Sequence, residues 1–568
     1  MVSGTPGAMA EGPTEDEPSP LVAAVSRLLW VLGPIGVALV VLALIQPTLQ
    51  PGVAFWDTGE FQTVPPLLGT IHATGFPAYS IFGWLASVVL QPLGEPAYRM
   101  NLFSALCVVA AAGLTVILVR ALTGRPAIAI GAGIILGLTE VSWRIATHAD
   151  AHSLHLALLV LLFVLLVGWE RRVRPGMAGS PAEAAPLPDD AAPAPGATGD
   201  DIRASAGPAR RAPGADRWLV AAAAAYAVAV ANHSLALLVG PGIVLYVFAV
   251  EPDILRRRRF VAACIGTFAA VVTAFYLELP LRAGPFRAPI VYGHPETWGG
   301  FWYVVLAEQF RGDLGSPLSD VGTKFHGVVD LAARELGPLA ALLPVGLVAT
   351  AARRRPYALL TIPTFALTCF FSMSYTNADI ERYYLGPLLI AVTWIAILAA
   401  WVVEALVDLR KDDVFGDAFV AGRTVALDLV VAGLLVSPTV AAAGSVSVAV
   451  DRSRDIGATT WLNGILPELD PDAVVISWWS YSTPLWYARD VEGRRTDITV
   501  IDDRTILDEH LGDVAHVIDA NIGNRPVYLI RLAEDLKALE ARYVVEPLVD
   551  PTGSGIVKVT GYQPGVTP

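Results

Sequence analysis

Two carboxylates stand three residues apart in Phe55-Trp56-Asp57-Thr58-Gly59-Glu60-Phe61. Large aromatic rings flank them, and the stretch begins ten residues past Ile45, where the first long apolar run ends. Positions i and i+3 share one face of a helical turn, so Asp57 and Glu60 can act at one place. A carboxylate at a bilayer surface against apolar rings can have its pKa raised and serve as a base. An Asp-Thr-Gly turn in a solvated loop would use the same residue types. The remainder of the chain has to decide between the two.

Other polar residues gather at the ends of apolar runs: His72, Arg99, His148, Asp150, His152, His155, Asn232, His233, Glu278, Arg282, Arg287, Asp379, Glu381 and Arg382. Ionisable groups at membrane depth are expensive and therefore point to function, whereas at headgroup level they cost little. His148, His152 and His155 have i, i+4 and i, i+3 spacing, which one helical face could turn toward a metal. The glutamate of an H-E-x-x-H pattern is missing, and histidines that contact a phosphate or one another fit equally well. No metal site is predicted, although a divalent ion beside an anionic substrate stays open.

The elements that position these residues follow from composition. The 568 residues are 54% hydrophobic and only 16% charged, against roughly a quarter charged in soluble proteins. Mean hydropathy is +0.55. Long apolar runs account for the excess, so the expected class is a polytopic α-helical membrane protein. A net charge of −13 gives no footing for nucleic acid. Cys107, Cys264 and Cys369 lie within apolar runs without metal or disulfide spacing and read as small core residues. Scarce Lys beside abundant Arg, Ala, Gly and Pro suggests a high-GC bacterial source.

Residues 1–20 are acidic and Pro/Gly-rich and read as a disordered tail. Leu21–Ile45 is the first span and stays as an anchor. The segment 78–93 is short for a span and reads as an interfacial helix. Basic clusters recur at Arg120/Arg125, Arg171/Arg172/Arg174, Arg256–Arg259, Arg353–Arg355 and Arg410/Lys411. Each follows the last by one out-and-back pair of apolar runs, which makes all five cytoplasmic. The result is eleven spans over 21–446, with 173–216 a disordered cytoplasmic loop and a long outer loop from Pro280 to Glu335. The N-terminus lies inside, and the polar residues above fall on the outer side.

From 451 onward, short apolar strands at Val474–Ile476, Ile498–Ile501, Val527–Ile530 and Tyr543–Val545 alternate with helical segments. They predict a small extracytoplasmic α/β domain over 451–568. No glycine-rich phosphate loop or nucleophile elbow lies in it, so it reads as an acceptor-binding or structural module.

Chemistry outside a cytoplasmic membrane has no nucleotide-sugar supply. A transferase there needs a donor delivered by lipid, and a polyprenyl-phosphate sugar fits. The site then needs a carboxylate base for the acceptor hydroxyl and cations for the leaving phosphate. Asp57 or Glu60 suits the first, and Arg282, Arg287 and Arg382 suit the second.

The blocks F-W-D-T-G-E-F, H-x-x-G-F-P-A-Y and P-A-Y-R-M-N-L-F-S-A-L resemble a family of multispanning proteins long labelled as of unknown function. Its eukaryotic branch includes an endoplasmic-reticulum protein O-mannosyltransferase. Further similar blocks are Ala231–Leu235, Tyr276–Arg282, Tyr292-Gly293-His294-Pro295, Asn377–Tyr384, Pro484-Leu485-Trp486-Tyr487 and Asp497–Val500. The resemblance implies a GT-C fold and inverting transfer of a mannose-like sugar from polyprenyl phosphate. It implies Asp57 as the base, with Glu60 orienting the acceptor or the base. His72, Arg99, Asn232, His233, Arg282 and Arg382 become the candidate contacts to donor phosphate and substrate. The acceptor would be a protein or a cell-envelope glycan at a bacterial inner membrane. The chain departs from the family pattern at Ala73-Thr74, where two prolines are common. It departs again at Asp150-Ala151-His152, in place of Glu-Val-Tyr, and at Ser477-Trp478-Trp479-Ser480, in place of an acidic Gly-Asp run. The alternative is a transporter or lipid-linked-sugar flippase, which would show internal repeats and broken, polar-lined helices at the midplane.

Overall fold

The computed structural model describes residues 20–175, 211–316, 319–377, 379–409, 417–548 and 555–566. The N-terminal tail, most of the 173–216 loop and the Arg410/Lys411 cluster lie outside the described residues.

The membrane part is a helical bundle. In order its helices are α1 (Pro20–Ile45), α2 (Trp56–Leu67), α3 (Pro77–Val89), α4 (Pro96–Thr123), α5 (Pro126–Leu138), α6 (Glu140–Ala146), α7 (Ala151–Val173), α8 (Ala215–Asn232), α9 (Gly240–Val250) and α10 (Arg258–Tyr276). They continue as α11 (Glu278–Ala283), α12 (Trp298–Val305), α13 (Val321–Leu336), α14 (Leu343–Arg353), α15 (Arg355–Ser374), α16 (Leu385–Asp408) and α17 (Asp417–Val450). Apolar side chains from α1, α4, α5, α7 and α16 form the main core, with Trp143 and Trp169 fully buried.

Among the described residues eight helices are long and apolar enough to cross a membrane, or nine if the α5–α6 pair, bent by 61°, counts as one. The sequence expectation was eleven. Every expected span is helical, but those over 218–232 and 235–250 fall below that length or that hydropathy. The second starts as a 3-10 turn over Ser234–Val239 and runs on as α9 from Gly240, with Pro241 in the first turn where its missing N–H costs nothing. The segment 78–93, expected as an interfacial helix, contains α3, thirteen residues long. The supposed outer loop 280–335 holds α12 and α13 and the end of α11.

The C-terminal part contains α18 (Gly457–Ile465), β1 (Val474–Ser477), α19 (Trp479–Trp486), β2 (Thr499–Ile501), α20 (Asp503–Asp508), α21 (Val514–Asn521), β3 (Val527–Ile530), α22 (Ala533–Glu540), β4 (Tyr543–Pro547) and β5 (Val557–Tyr562). The strands form one sheet in the order β2-β1-β3-β5-β4. β1 pairs in parallel with β2 and β3, while β5 runs antiparallel to β3 and β4. Every residue of β1 and β3 is buried, as expected for strands covered on both faces. β5 and α18 have no counterpart in the sequence reading.

This domain sits on the loop after α1. Phe55 meets Trp461 and Tyr481 at ring distances of 5.7 and 5.3 Å, and Trp56 meets Trp478 at 5.1 Å. The Ala97 N–H at the start of α4 donates to the Tyr487 hydroxyl (3.1 Å). A Cβ on Gly59 would lie 2.4 Å from the Ala54 carbonyl and 2.7 Å from Thr483 Oγ1. Glycine at this position lets α19 approach α2.

Candidate active site

The Asp57/Glu60 stretch is the first turn of α2. Trp56, at φ 61°, turns the chain into the helix, and Leu68, at φ 50°, ends it. Both are left-handed positions that cost a non-glycine residue about 1 kcal/mol or more. A buried amide network holds the turn in place. Gln62 Oε1 accepts from the Ala54 N–H (2.7 Å), and Gln62 Nε2 donates to Asn101 Oδ1 (2.8 Å). Asn101 Oδ1 also accepts from the Ala149 N–H (2.8 Å), and its Nδ2 donates to the Gln50 carbonyl (2.8 Å). One side chain of α4 thereby ties the acidic loop to the turn before α7.

Glu60 is buried and closes on His72. Its Oε1 accepts from the His72 backbone N–H (2.9 Å), and its Oε2 pairs with His72 Nδ1. Burial opposes charge on the imidazole, but Glu60 and then Asp57 outweigh it and raise the His72 pKa. Both carboxylates of α2 thus favour the protonated form of His72.

Asp57 faces the other way and keeps 38% of its side chain exposed. Its Oδ1 accepts from Trp479 Nε1 (3.1 Å) and its Oδ2 lies 3.6 Å from Arg382 Nη2. Burial acts to raise the carboxyl. His72, Arg382 and the indole N–H overcome it and hold Asp57 below the usual aspartate range, so it stays an anion with free lone pairs. The expectation of a raised pKa therefore reverses for Asp57, because the charges of His72 and Arg382 and one indole N–H act on it together. Arg382 is clamped by Asp150, with Nη1–Oδ2 at 3.2 Å. Asp150 caps α7 through the His152 N–H (2.8 Å) and also meets His152 Nδ1 (2.9 Å).

Arg504, from α20 of the C-terminal domain, completes the cluster. Its guanidinium lies 4.6 Å from the Tyr292 ring centre and 4.9 Å from that of Trp479, and it donates to Gln309 Oε1 (2.5 Å). Beside it a cavity of about 180 Å³ is lined by Glu60, Tyr292, His294, Trp479, Asp502 and Arg504, among others. It lies between the C-terminal domain and the loop after α11. The site thus has a part-exposed carboxylate at Asp57, a cation at Arg382 on one side and a cation at Arg504 from the C-terminal domain, with the indole of Trp479 touching both Asp57 and Arg504.

The structure brings Asp57, Glu60, His72 and Arg382 together. His233 is one layer away, its ring 5.4 Å from Phe76, 4.7 Å from His152 and 5.7 Å from Tyr383. Asn232 donates to the Ala151 carbonyl (3.1 Å) and ties α8 to α7. Arg282 donates to the Leu68 and Leu67 carbonyls (2.6 and 3.2 Å) and closes the end of α2. Arg99 donates to the Ser87 carbonyl (2.5 Å) and joins α4 to α3. Arg287 lies 3.8 Å from Glu296 and 3.9 Å from Glu509. Glu381 pairs with Arg144 (2.7 Å) and Arg334 (2.5 Å). Among the described residues no group of three or more His, Cys, Asp or Glu has metal-holding geometry.

Trp479 and Arg504 were missed by the sequence reading, which kept the C-terminal domain apart from the chemistry. A signal existed: Trp479 stands where the chain departs from the family's acidic run. Gln62 and Asn101 were missed as well, although Asn101 lies inside a quoted block.

Residues 57–254 match the family described as the protein O-mannosyl-transferase TMEM260 N-terminal domain. The mouse protein O-mannosyl-transferase TMEM260 is 31% identical over 138 residues, 24% of this chain. That match spans only 20% of the mouse protein. ArnT from Cupriavidus metallidurans superposes in its apo state at a TM-score of 0.53, covering 94% of this chain and 98% of ArnT at 16% identity. A second structure of ArnT, bound to undecaprenyl phosphate, superposes at 0.52 and covers 95% and 99%, again at 16% identity. At that identity the likeness is one of fold, the GT-C fold of membrane glycosyltransferases.

Proposed function

We propose that this chain, whose residues 57–254 match the TMEM260 N-terminal domain family, transfers a mannose-like sugar from a polyprenyl-phosphate donor to an acceptor hydroxyl. In this reading the acceptor oxygen attacks the anomeric carbon from the face opposite the phosphate. The carbon–oxygen bond to phosphate breaks, and polyprenyl phosphate leaves with the electron pair. The hydroxyl proton passes to Asp57, and the anomeric configuration inverts. Arg382, 3.6 Å from Asp57, binds the leaving phosphate, where a guanidinium offers paired donors. Glu60 and His72 form a fixed ion pair that keeps positive charge beside the reacting centre. Arg504 and the aromatic walls of the neighbouring cavity receive the acceptor, a protein hydroxyl in keeping with the name of the mouse relative.

Lipid supply and the position of the C-terminal domain suit the outer face of a cytoplasmic membrane. The observation that carries the reading is the ionised, part-exposed Asp57 carboxylate held by Trp479 beside Arg382. The test compares wild type with Asp57→Asn, purified in lipid, using radiolabelled polyprenyl-phosphate mannose and serine/threonine peptides. Transfer by wild type should fall at least a hundredfold in the variant, within the ~10²–10⁴ that general-base catalysis supplies. Equal transfer by both proteins would remove Asp57 as the base.

A further inference from the structure

A second cavity lies at the end of the bundle opposite the site. About 320 Å³ opens between α7, α8, α9 and α10. Leu166, Leu219, Val247, Ile254 and Val261 are among its lining residues, which are all apolar apart from Tyr226 and Cys264. It stays open because α10 packs on α8 through half-buried side chains such as Phe268, whose ring lies 5.2 Å from that of Tyr226, and no residue of α10 is fully buried. Val244, Leu255 and Ile265 on its rim are more than half exposed, so it is a groove open to the side. Its volume is about ten times the ~30 Å³ share of one water, enough for much of one hydrocarbon chain.

The mouth of the groove is strongly basic. Ile254 and Leu255 line it from one side of Arg256-Arg257-Arg258-Arg259, and Val261 lines it from the other. Arg257 is consumed locally, by Glu251 (3.3 Å) and by Asp216. Arg211 uses the same two acids, Glu251 at 2.5 Å and Asp216 at 3.5 Å, so those four charges cancel. Arg256 meets only Asp253 (3.3 Å), and both side chains are largely exposed. An exposed pair of this kind contributes little. Arg258 and Arg259 are exposed and form no ion pair among the described residues. The groove therefore ends in uncompensated positive charge at a membrane surface. That combination selects an amphiphile with an apolar chain and an anionic head over a zwitterionic lipid or a free anion.

We propose that this groove holds one chain of an anionic glycerophospholipid from the leaflet at that end, with the headgroup phosphate on Arg256, Arg258 and Arg259. Each arginine near an anionic lipid surface is worth about fivefold in affinity. The site is separate from the transferase site and stands whether or not the proposed reaction is correct.

The test uses the full chain, delipidated in uncharged detergent, with radiolabelled phosphatidylglycerol as the probe. Unlabelled phosphatidylglycerol should displace the label far better than phosphatidylcholine, and inorganic phosphate should not displace it. Arg258→Gln/Arg259→Gln should weaken retention about twenty-fivefold and cut the preference for the anionic head by the same factor. Ala223→Phe, which fills the groove from α8, should abolish retention of both lipids with the arginines intact; thermal unfolding confirms that each variant is folded. Equal displacement by phosphatidylcholine, displacement by inorganic phosphate, unchanged retention in the double variant or unchanged retention in Ala223→Phe would each overturn the proposal.

Discussion

Trp479→Phe removes one N–H from the site and keeps an aromatic ring in the wall between Asp57 and the domain-side cavity. The indole nitrogen lies 3.1 Å from Asp57 Oδ1. A hydrogen bond to a charged group contributes about 1.5–3 kcal/mol. Asp57 is 38% exposed, so water competes for that oxygen and the lower half of the range applies. About 1.5–2 kcal/mol corresponds to a roughly 12- to 30-fold loss in kcat/KM. The loss should fall on kcat rather than on the donor KM, because the indole orients the base and leaves Arg382 in place. The sign of the pH effect follows from the same bond. The N–H is one of the groups holding Asp57 below the usual aspartate range. Without it the carboxyl protonates more readily, so the acid limb of kcat/KM moves to higher pH. The assay is mannosyl transfer to a serine/threonine peptide across pH in lipid nanodiscs. Trp479→Ala serves as the comparison and should lose more, because it also opens the wall that stacks on Arg504. If Phe matches wild type while Ala is inactive, the ring matters and the N–H does not. If the acid limb stays in place, Asp57 is not the titrating base.

Arg504→Gln should lower kcat/KM for the peptide by about tenfold, the effect of one charge-assisted contact, and leave donor binding measured by filter retention unchanged. Arg282→Gln should destabilise the protein by about 2 kcal/mol through the lost bonds to the Leu67 and Leu68 carbonyls, read as a lower midpoint of unfolding, with the donor KM unmoved; a raised donor KM would return Arg282 to the phosphate. The His72 pKa is raised in the folded protein. Its pairing with Glu60 therefore stabilises the fold fully below the ordinary histidine value of 6.5 and loses that stabilisation as pH rises through the higher folded value. Unfolding midpoints should decline over that interval above 6.5 in wild type, and Glu60→Gln should flatten the decline.

Much of the bundle was legible because a membrane imposes a length. A run of roughly twenty apolar residues matches the thickness of the hydrocarbon core and is rare in water-soluble chains, and arginine clusters divide such runs in pairs. The reading weakened where that logic weakens. The segments 218–232 and 235–250 are helical yet too short or too polar to qualify as spans. The stretch 280–335 looked like a loop because its helices are short or mixed in polarity. In the C-terminal domain the alternation of strand and helix was visible, whereas β5 went unseen. Its sequence Val557-Lys558-Val559-Thr560 is a short, half-polar pattern that only pairing with β3 and β4 stabilises.

The site divides along the same line. Asp57 and Glu60 could be read from the sequence, since two carboxylates among aromatics beside a span are costly and local. Even there, sequence could not say that Glu60 would bury itself against His72 while Asp57 stayed open. The partners of Asp57 are decided by tertiary structure alone. Trp479 is 422 residues away along the chain, and Arg382 arrives from the turn just before α16. Arg282, equally basic and equally close to a span, ends on backbone carbonyls. A charged side chain carries the same intrinsic chemistry wherever it occurs, and spacing reveals a role only within a helix or strand. Which cation meets which carboxylate depends on how helices cross and on where glycine lets two backbones approach. Here that is Gly59 beneath Thr483, the contact that brings the C-terminal domain and its tryptophan onto the acidic turn.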